Sequence, residues 1–149
     1  MSELGLLAQE LSEAMAAANA CLDSRFCEAM NNKDVEGAMR CFLDSPDLVV
    51  VLYGKVLCGP TALRQFLDEF FTSTKTVHVE INEVTRWSLG ETVFAVGTAT
   101  YDMEAPDGKR SMLQECWTDA RQKVAGRWVY VLDHATRFPR PERTCALGM

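Results

Sequence analysis

The chain has 149 residues, of which 48% are hydrophobic and 24% charged, a composition typical of one globular domain. Its net charge of −6 argues against a nucleic-acid partner, because that partner requires clustered Lys and Arg. No apolar run approaches the roughly 20 residues of a membrane span, and the N-terminus lacks the regions of a signal peptide. We therefore expect a cytoplasmic protein with no membrane partner.

The cysteines do not predict a metal site or a disulfide framework. There are six of them: Cys21, Cys27, Cys41, Cys58, Cys116 and Cys145. Most fall in apolar runs typical of helices or strands, where a free thiol packs as a small hydrophobe. No CxxC or Cys/His pair has the spacing of a zinc site. We predict free thiols, no metal and no cofactor.

The first half of the chain predicts three helices. Apolar residues recur every three or four positions from Leu4 to Met30, which indicates a long amphipathic helix. Asp34 is placed to cap a second helix. That helix should bury Val35, Ala38, Met39 and Phe42. Gly59-Pro60 opens a third helix, because proline is tolerated in the first helical turn.

Strands follow and dominate the second half. A β-branched run from Leu48 to Tyr53 reaches a turn at Gly54-Lys55 and returns through Val56 to Cys58, which predicts a short hairpin. From Lys75 onward the hydrophobic period changes to two, and turn residues divide the rest of the chain into four long strands.

This order of elements predicts the architecture. Helices gathered ahead of strands indicate an α+β fold, in which three N-terminal helices pack against a strongly curved, mostly antiparallel sheet. We predict a single domain over residues 1–138, with residues 1–21 as a helical extension. Residues 139–149 should form a loosely ordered tail, since they hold prolines and mixed charge.

Four local signals accompany this order. They are Asn31 to Phe42, where a short loop leads to Asp-Val; Gly59-Pro60 to Phe71; Gly90-Glu91-Thr92 at a hairpin; and Gly126-Arg127-Trp128 leading to Asp133-His134-Ala135-Thr136. From about Leu22 to Pro139 the chain thus resembles the nuclear transport factor 2-like superfamily, in its SnoaL-like and ketosteroid-isomerase-like branch. The resemblance implies a cone-shaped roll, with the sheet wrapped around the helices and a pocket at the wide end.

The catalytic candidates are a histidine and a tyrosine that could face such a pocket. An imidazole exchanges a proton near neutral pH, so His134 is the first candidate, although a structural histidine is the alternative. Tyr53 ends a strand beside Gly54, where a phenol at the pocket rim could donate a hydrogen bond. Strand alternation predicts which residues share the face of His134. These are Trp128, Tyr130 and Leu132.

Ligand-binding candidates surround these two residues. We predict that Gln114, from the neighbouring strand, joins His134 and Tyr53 in one cavity. Trp87 and Phe66 should line that cavity, and Cys116 and Thr118 share the face of Gln114. The resemblance implies an arginine at the position aligned with Cys116. This chain therefore lacks the arginine that would bind the carboxylate of a ligand. Cys116 is either a small wall residue or a nucleophile.

Two functions follow. The first is an isomerase, cyclase or hydratase-like enzyme, or an accessory enzyme, that moves a proton on a small apolar, carbonyl-bearing metabolite. Ketosteroid-isomerase-type chemistry needs a carboxylate base in an apolar cavity, for which Asp44, Asp47 and Glu115 are candidates, but no acid pair can be placed on matching positions. The alternative is a non-catalytic ligand-binding or dimeric association module.

A homodimer is also predicted, through the outer face of the sheet. The outward positions of the long strands should form an apolar stripe that is too large to remain exposed. An isologous two-fold contact is the commonest way to cover such a stripe. The positions are Val93, Ala95, Val129 and Val131.

Overall fold

The computed structural model describes residues 9–137. The helices are α1 (Glu13–Asn31), α2 (Val35–Met39) and α3 (Gly59–Thr72). The strands are β1 (Val49–Leu52), β2 (Lys55–Cys58), β3 (Thr76–Leu89), β4 (Thr92–Glu104), β5 (Arg110–Val124) and β6 (Arg127–Arg137). One sheet holds them in the order β2-β1-β6-β5-β4-β3, with antiparallel neighbours except for the parallel pair β1–β6. The predicted α+β fold is confirmed.

Helix α1 begins later than the sequence predicted. Ser12 caps it by accepting the backbone N–H of Met15 at 3.2 Å. Just ahead of the cap, Gln9 exchanges two backbone hydrogen bonds with Ser88 of β3, at 2.9 and 2.8 Å. Residues 9–12 are thus not part of the predicted helix, and residues 1–8 lie outside the described part of the chain. The helix then runs on unbroken past residue 21, which places the predicted boundary between extension and domain inside one helix.

The two shorter helices begin as predicted. The Asp34 carboxylate accepts the N–H of Gly37 at 2.9 Å and caps α2. Pro60 occupies the first turn of α3, and this amphipathic helix buries Leu63, Leu67 and Phe71 against the sheet. No helix within residues 9–137 is long and apolar enough to cross a membrane. The residues of the predicted C-terminal tail lie outside the described part of the chain.

Two irregularities decide which side chains of the sheet face the helices. In the β5–β6 pair, Ala120 lies opposite Leu132 while Arg121 lies opposite Tyr130, which leaves Val131 as an extra residue. Such a bulge resets the alternation of side chains along a strand. Tyr130 is accordingly buried, whereas Leu132, two positions later, is 46% exposed. A second register shift lies in β3, between Ile81 and Glu83.

The core lies between the helices and the concave face of the sheet. Trp128, predicted to be buried at this junction, is half-buried and packs against the core. Three of the four residues predicted to form an outward stripe, Val93, Ala95 and Val129, are buried in the single chain. That stripe is therefore not exposed as predicted; Val93 and Ala95 are buried because the odd-numbered positions of β4 face inward.

Candidate functional site

A cavity opens between α1, α3 and the concave face of the sheet. Most of its wall is apolar and aromatic, including Phe26, Phe42, Leu52, Phe66, Phe70 and Trp117. Its volume is about 80 Å³, whereas an engineered apolar cavity of about 150 Å³ binds benzene. A ligand must therefore be small, or side chains must move to admit it.

A tyrosine and a glutamate meet at one side of this cavity. Tyr53 lies in the β1–β2 turn, where it and Gly54 both adopt positive φ, 52° and 89°. Its hydroxyl donates a hydrogen bond to Oε2 of Glu115, which is only 5% exposed. Burial also raises the pKa of Tyr53, so the phenol stays protonated and serves as a donor.

Neighbouring groups act on the pKa of Glu115 in opposite directions. Burial raises the pKa of this carboxyl above its ordinary value. The hydroxyls of Tyr53 and Tyr101 and the guanidinium of Arg137 favour the charged form and oppose that rise. The Arg137 guanidinium lies 4.6 Å from the centroid of the Tyr53 ring. Glu115 is thus a carboxyl of raised pKa with hydrogen-bond donors beside it.

Asp133 adds a second carboxyl to the cavity. Burial raises its pKa well above the ordinary value, and the charges of Asp119 and Glu115 raise it further. Asp119 is its direct cross-strand partner. No side chain among residues 9–137 donates a hydrogen bond to the Asp133 carboxyl or forms an ion pair with it. Asp133 therefore holds a proton more tightly than an exposed aspartate does.

The other carboxylates of the cavity are neutralised by arginines. The fully buried Arg121 donates from Nε to Asp119 Oδ1 at 2.8 Å and from Nη1 to Asp23 Oδ2 at 3.0 Å. Asp23 also accepts Arg86 at 2.5 Å and the Tyr130 hydroxyl at 2.5 Å. Burial still raises the pKa of Asp119, to about 6, although hydrogen bonding to Arg121 opposes it.

The cavity therefore contains two kinds of carboxyl group. Asp23 and Asp119 each form ion pairs with a guanidinium, so their oxygens are already engaged by cationic donors. Glu115 and Asp133 lack such a direct partner and are surrounded by phenols and apolar walls. Carboxyl groups held in different environments are the usual basis for separate acid and base roles in one site.

The structure separates the residues that the sequence grouped together. Tyr53 and Phe66 line the cavity. His134 is exposed and lies opposite Thr118 on the outer face of the sheet, and the prediction that it faces the cavity is wrong. The β6 bulge is the cause, since it places Asp133 inward and His134 outward.

The remaining predicted wall residues are also on the outer face. Gln114, Cys116 and Thr118 alternate with the inward Glu115 and Trp117, so none of the three lines the cavity. Trp87 instead stacks on Phe94 of β4, with ring centroids 6.0 Å apart. The register shift in β3 reverses the face of Trp87. These four predictions of cavity contacts are wrong.

Sequence reasoning passed over most of the polar cavity residues. The predicted site residues did not include Asp23, Arg121 or Asp133. One signal was present: Glu115, Asp119 and Arg121 occupy odd-numbered positions of β5, the same face as the apolar Leu113 and Trp117. Asp44 and Asp47, the other candidate bases, are exposed. Within the described residues, no three His, Cys, Asp or Glu side chains converge to hold a metal ion.

Comparison with known proteins identifies the domain. Residues 24–131 match the family model of the SnoaL-like domain. No curated protein matches the chain. A solved structure from Novosphingobium aromaticivorans, proposed to be an aromatic ring hydroxylase, aligns over 89% of this chain and 94% of its own, with TM-score 0.79 and 14% identity.

Two other solved structures show the same fold. One is a proposed dehydratase of the NTF2-like family from Streptomyces avermitilis (TM-score 0.77, 18% identity, 87% of this chain and 100% of that one). The other is a proposed calcium/calmodulin-dependent protein kinase II association domain from Xanthomonas campestris (TM-score 0.73, 21% identity, 87% and 91%). At these identities the likeness establishes a shared fold.

Proposed function

Because the chain belongs to the SnoaL-like domain family, and because of the carboxyls in its cavity, we propose that it binds a small carbonyl compound and transfers a proton beside the carbonyl group. The observation that carries this proposal is Glu115. It is a buried carboxyl of raised pKa, hydrogen-bonded by Tyr53, in a mostly apolar cavity. A carboxylate whose pKa is raised is a stronger base than an exposed one, which favours a role as general base.

The chemistry divides between two carboxyl groups. Ionised Glu115 accepts a proton from the carbon next to the carbonyl, and the electron pair of that bond moves to the carbonyl oxygen. Protonated Asp133 donates a hydrogen bond to the developing oxyanion, and the Tyr53 phenol can join it by turning its one O–H away from Glu115. If the substrate has a carbon–carbon double bond next to that carbon, return of the proton from Glu115 to the far end of the resulting dienolate completes an isomerisation and moves the double bond. No cofactor takes part in these steps.

Hydrogen exchange tests this reaction class without knowledge of the natural substrate. The protein is incubated with a small ketone, cyclohexanone, in deuterated water, and loss of the α-proton signal is followed by NMR. Glu115→Gln should slow protein-dependent exchange by about 10²- to 10⁴-fold, the usual contribution of a general base. Glu80→Gln, an exposed position on β3, is the matched control and should exchange as the wild type does.

The pH dependence of exchange separates the two roles. Exchange should rise with pH through the raised pKa of Glu115, as the base ionises. It should fall again at higher pH through the raised pKa of Asp133, as the acid is lost. If cyclohexanone binds but wild type and Glu115→Gln exchange it equally, the protein is a binding module and the catalytic proposal fails.

A second candidate function, association of two copies, is favoured by the outer face of the sheet. Trp87, Phe94, Ala120 and Leu132 are successive cross-strand partners and form one row across β3, β4, β5 and β6. Leu132 is 46% exposed, and Val96, beside this row, is 41% exposed. An apolar row of this kind supports an isologous dimer.

Light scattering tests the dimer directly. The wild type should have twice the chain mass of 16.6 kDa at micromolar concentration. Leu132→Glu should shift it toward the monomer, because a charge would be buried in the contact. Val56→Glu changes a residue that is 65% exposed on β2 and should leave the mass unchanged. A monomeric wild type would remove this candidate.

A further inference from the structure

A second cavity, the arginine groove, lies between α1, α2 and the start of β6. Its volume is about 270 Å³, and it does not share a lining residue with the apolar cavity. Three arginines line it: Arg25 from α1, Arg40 at the C-terminus of α2, and Arg127, the first residue of β6. The small buried residues Ala29 and Cys41 also line it.

The fold brings these arginines together through close backbone contacts. Arg25 and Ala29 are four residues apart and lie on one face of α1. Gly37 lets α2 approach that face, because a Cβ added to it would lie 3.2 Å from the Ala29 Cβ. The Cys41 carbonyl accepts the N–H of Tyr130 at 2.8 Å, which anchors the end of α2 beside β6. The grouping thus follows from the packing of three elements.

The charge of the groove is not compensated by direct ion pairs. Within residues 9–137, no carboxylate lies within ion-pair distance of Arg25, Arg40 or Arg127. Two acidic residues, Glu28 and Asp34, also line the groove, so its formal charge is 3 − 2 = +1. The Asp34 carboxylate is already engaged as the cap of α2.

All three guanidiniums act on one buried group of the groove, the Cys41 thiol. Burial raises the pKa of the Cys41 thiol to about 11, while Arg25, Arg127 and Arg40 all act in the opposite direction. The chain as a whole carries a net charge of −6. On a protein of net negative charge, a locally positive groove is a favourable place for an anion to bind.

We propose that the arginine groove binds a phosphate group. Guanidinium groups present planar pairs of N–H donors that match phosphate oxygens, and three of them from different elements can surround one tetrahedral anion. The phosphate group can come from free inorganic phosphate or from a phosphate monoester. This site is independent of the proton-transfer chemistry in the apolar cavity.

Calorimetric titration with inorganic phosphate at constant ionic strength tests the site. The wild type should bind phosphate saturably with one site per chain. Arg40→Gln and Arg127→Gln should each raise the dissociation constant about 10-fold or more, the usual effect of losing a hydrogen bond to a charged group. Arg110→Gln removes an exposed arginine outside the groove and should bind as the wild type does.

Further measurements identify the source of the phosphate and distinguish specific binding from a general effect of charge. Tighter binding of methyl phosphate than of inorganic phosphate assigns the groove to phosphate monoesters, and the reverse order assigns it to the free ion. Thermal melts establish that each variant is folded. Absence of saturable binding to the wild type, or an equal loss of affinity in Arg110→Gln, would overturn the proposal.

Discussion

Replacing Arg121 by methionine should destabilise the protein more than any change to a surface ion pair. Arg121 is 0% exposed, and its guanidinium contacts Asp119 at 2.8 and 3.2 Å and Asp23 at 2.8 Å. Methionine fills much of the same space but leaves Asp119 buried without a cation. Breaking a buried ion pair by removing one partner typically costs about 3–5 kcal/mol.

Thermal unfolding is the assay. For a chain of this size each kcal/mol shifts the melting temperature by about 2–4 °C, so the expected loss is about 6–20 °C near neutral pH. Arg64→Met is the matched control, because Arg64 forms an exposed pair with Glu36 and such pairs contribute little. The double variant with Asp119→Asn should recover part of the loss, because the orphaned charge is gone.

The pH dependence has a defined sign. The pKa of Asp119 is raised to about 6 in the folded wild type, so its stabilising contribution is present below its ordinary value of 3.8 and is lost as pH rises through about 6. Without Arg121 this pKa rises further. The deficit of Arg121→Met should therefore be larger at pH 8 than at pH 4. An Arg121→Met protein that melts no lower than Arg64→Met would refute the reasoning.

Three other changes have defined outcomes. Asp133→Asn should raise the melting temperature at pH 8 but not at pH 4, because the raised pKa of Asp133 makes its ionisation destabilising in the folded state. Equal shifts at both pH values would contradict this. Gly97→Ala should cost at least about 3 kcal/mol in urea unfolding, or prevent folding, because the new Cβ would lie 2.3 Å from the Glu83 carbonyl oxygen. Cys41 should react with Ellman's reagent only on unfolding, since burial raises its pKa to about 11. Exposed Cys58 should react at once. Simultaneous reaction of the two thiols would contradict this prediction and show that α2 opens readily.

The sequence was sufficient to predict the architecture because hydrophobic period reports backbone structure directly. The change from a period near four to a period of two near Lys75 separated the helices from the long strands. The cap at Asp34 and the proline after Gly59 placed the starts of α2 and α3. The apolar spacing did not predict where α1 begins, since Gln9 pairs with the edge strand β3 and Ser12 caps the helix.

The candidate site was harder to predict because it depends on which face each strand residue occupies. Counting by twos from Tyr130 places His134 inward, and the structure places Asp133 there instead. The extra residue at Val131 is set by pairing with β5, a long-range contact that leaves no local pattern in β6. The burial of Arg121 likewise depends on Asp23, which is distant in sequence.

The bulge at Val131 gives the fold a way to change its chemistry without a substitution. Asp133 and His134 are adjacent, so only one of them can enter the cavity at a time. If the extra residue were accommodated just beyond His134, the imidazole would replace the carboxyl and Asp133 would turn to the opposite face. Within such a scaffold, a shift in strand pairing would exchange one proton carrier for another while every amino acid stayed the same.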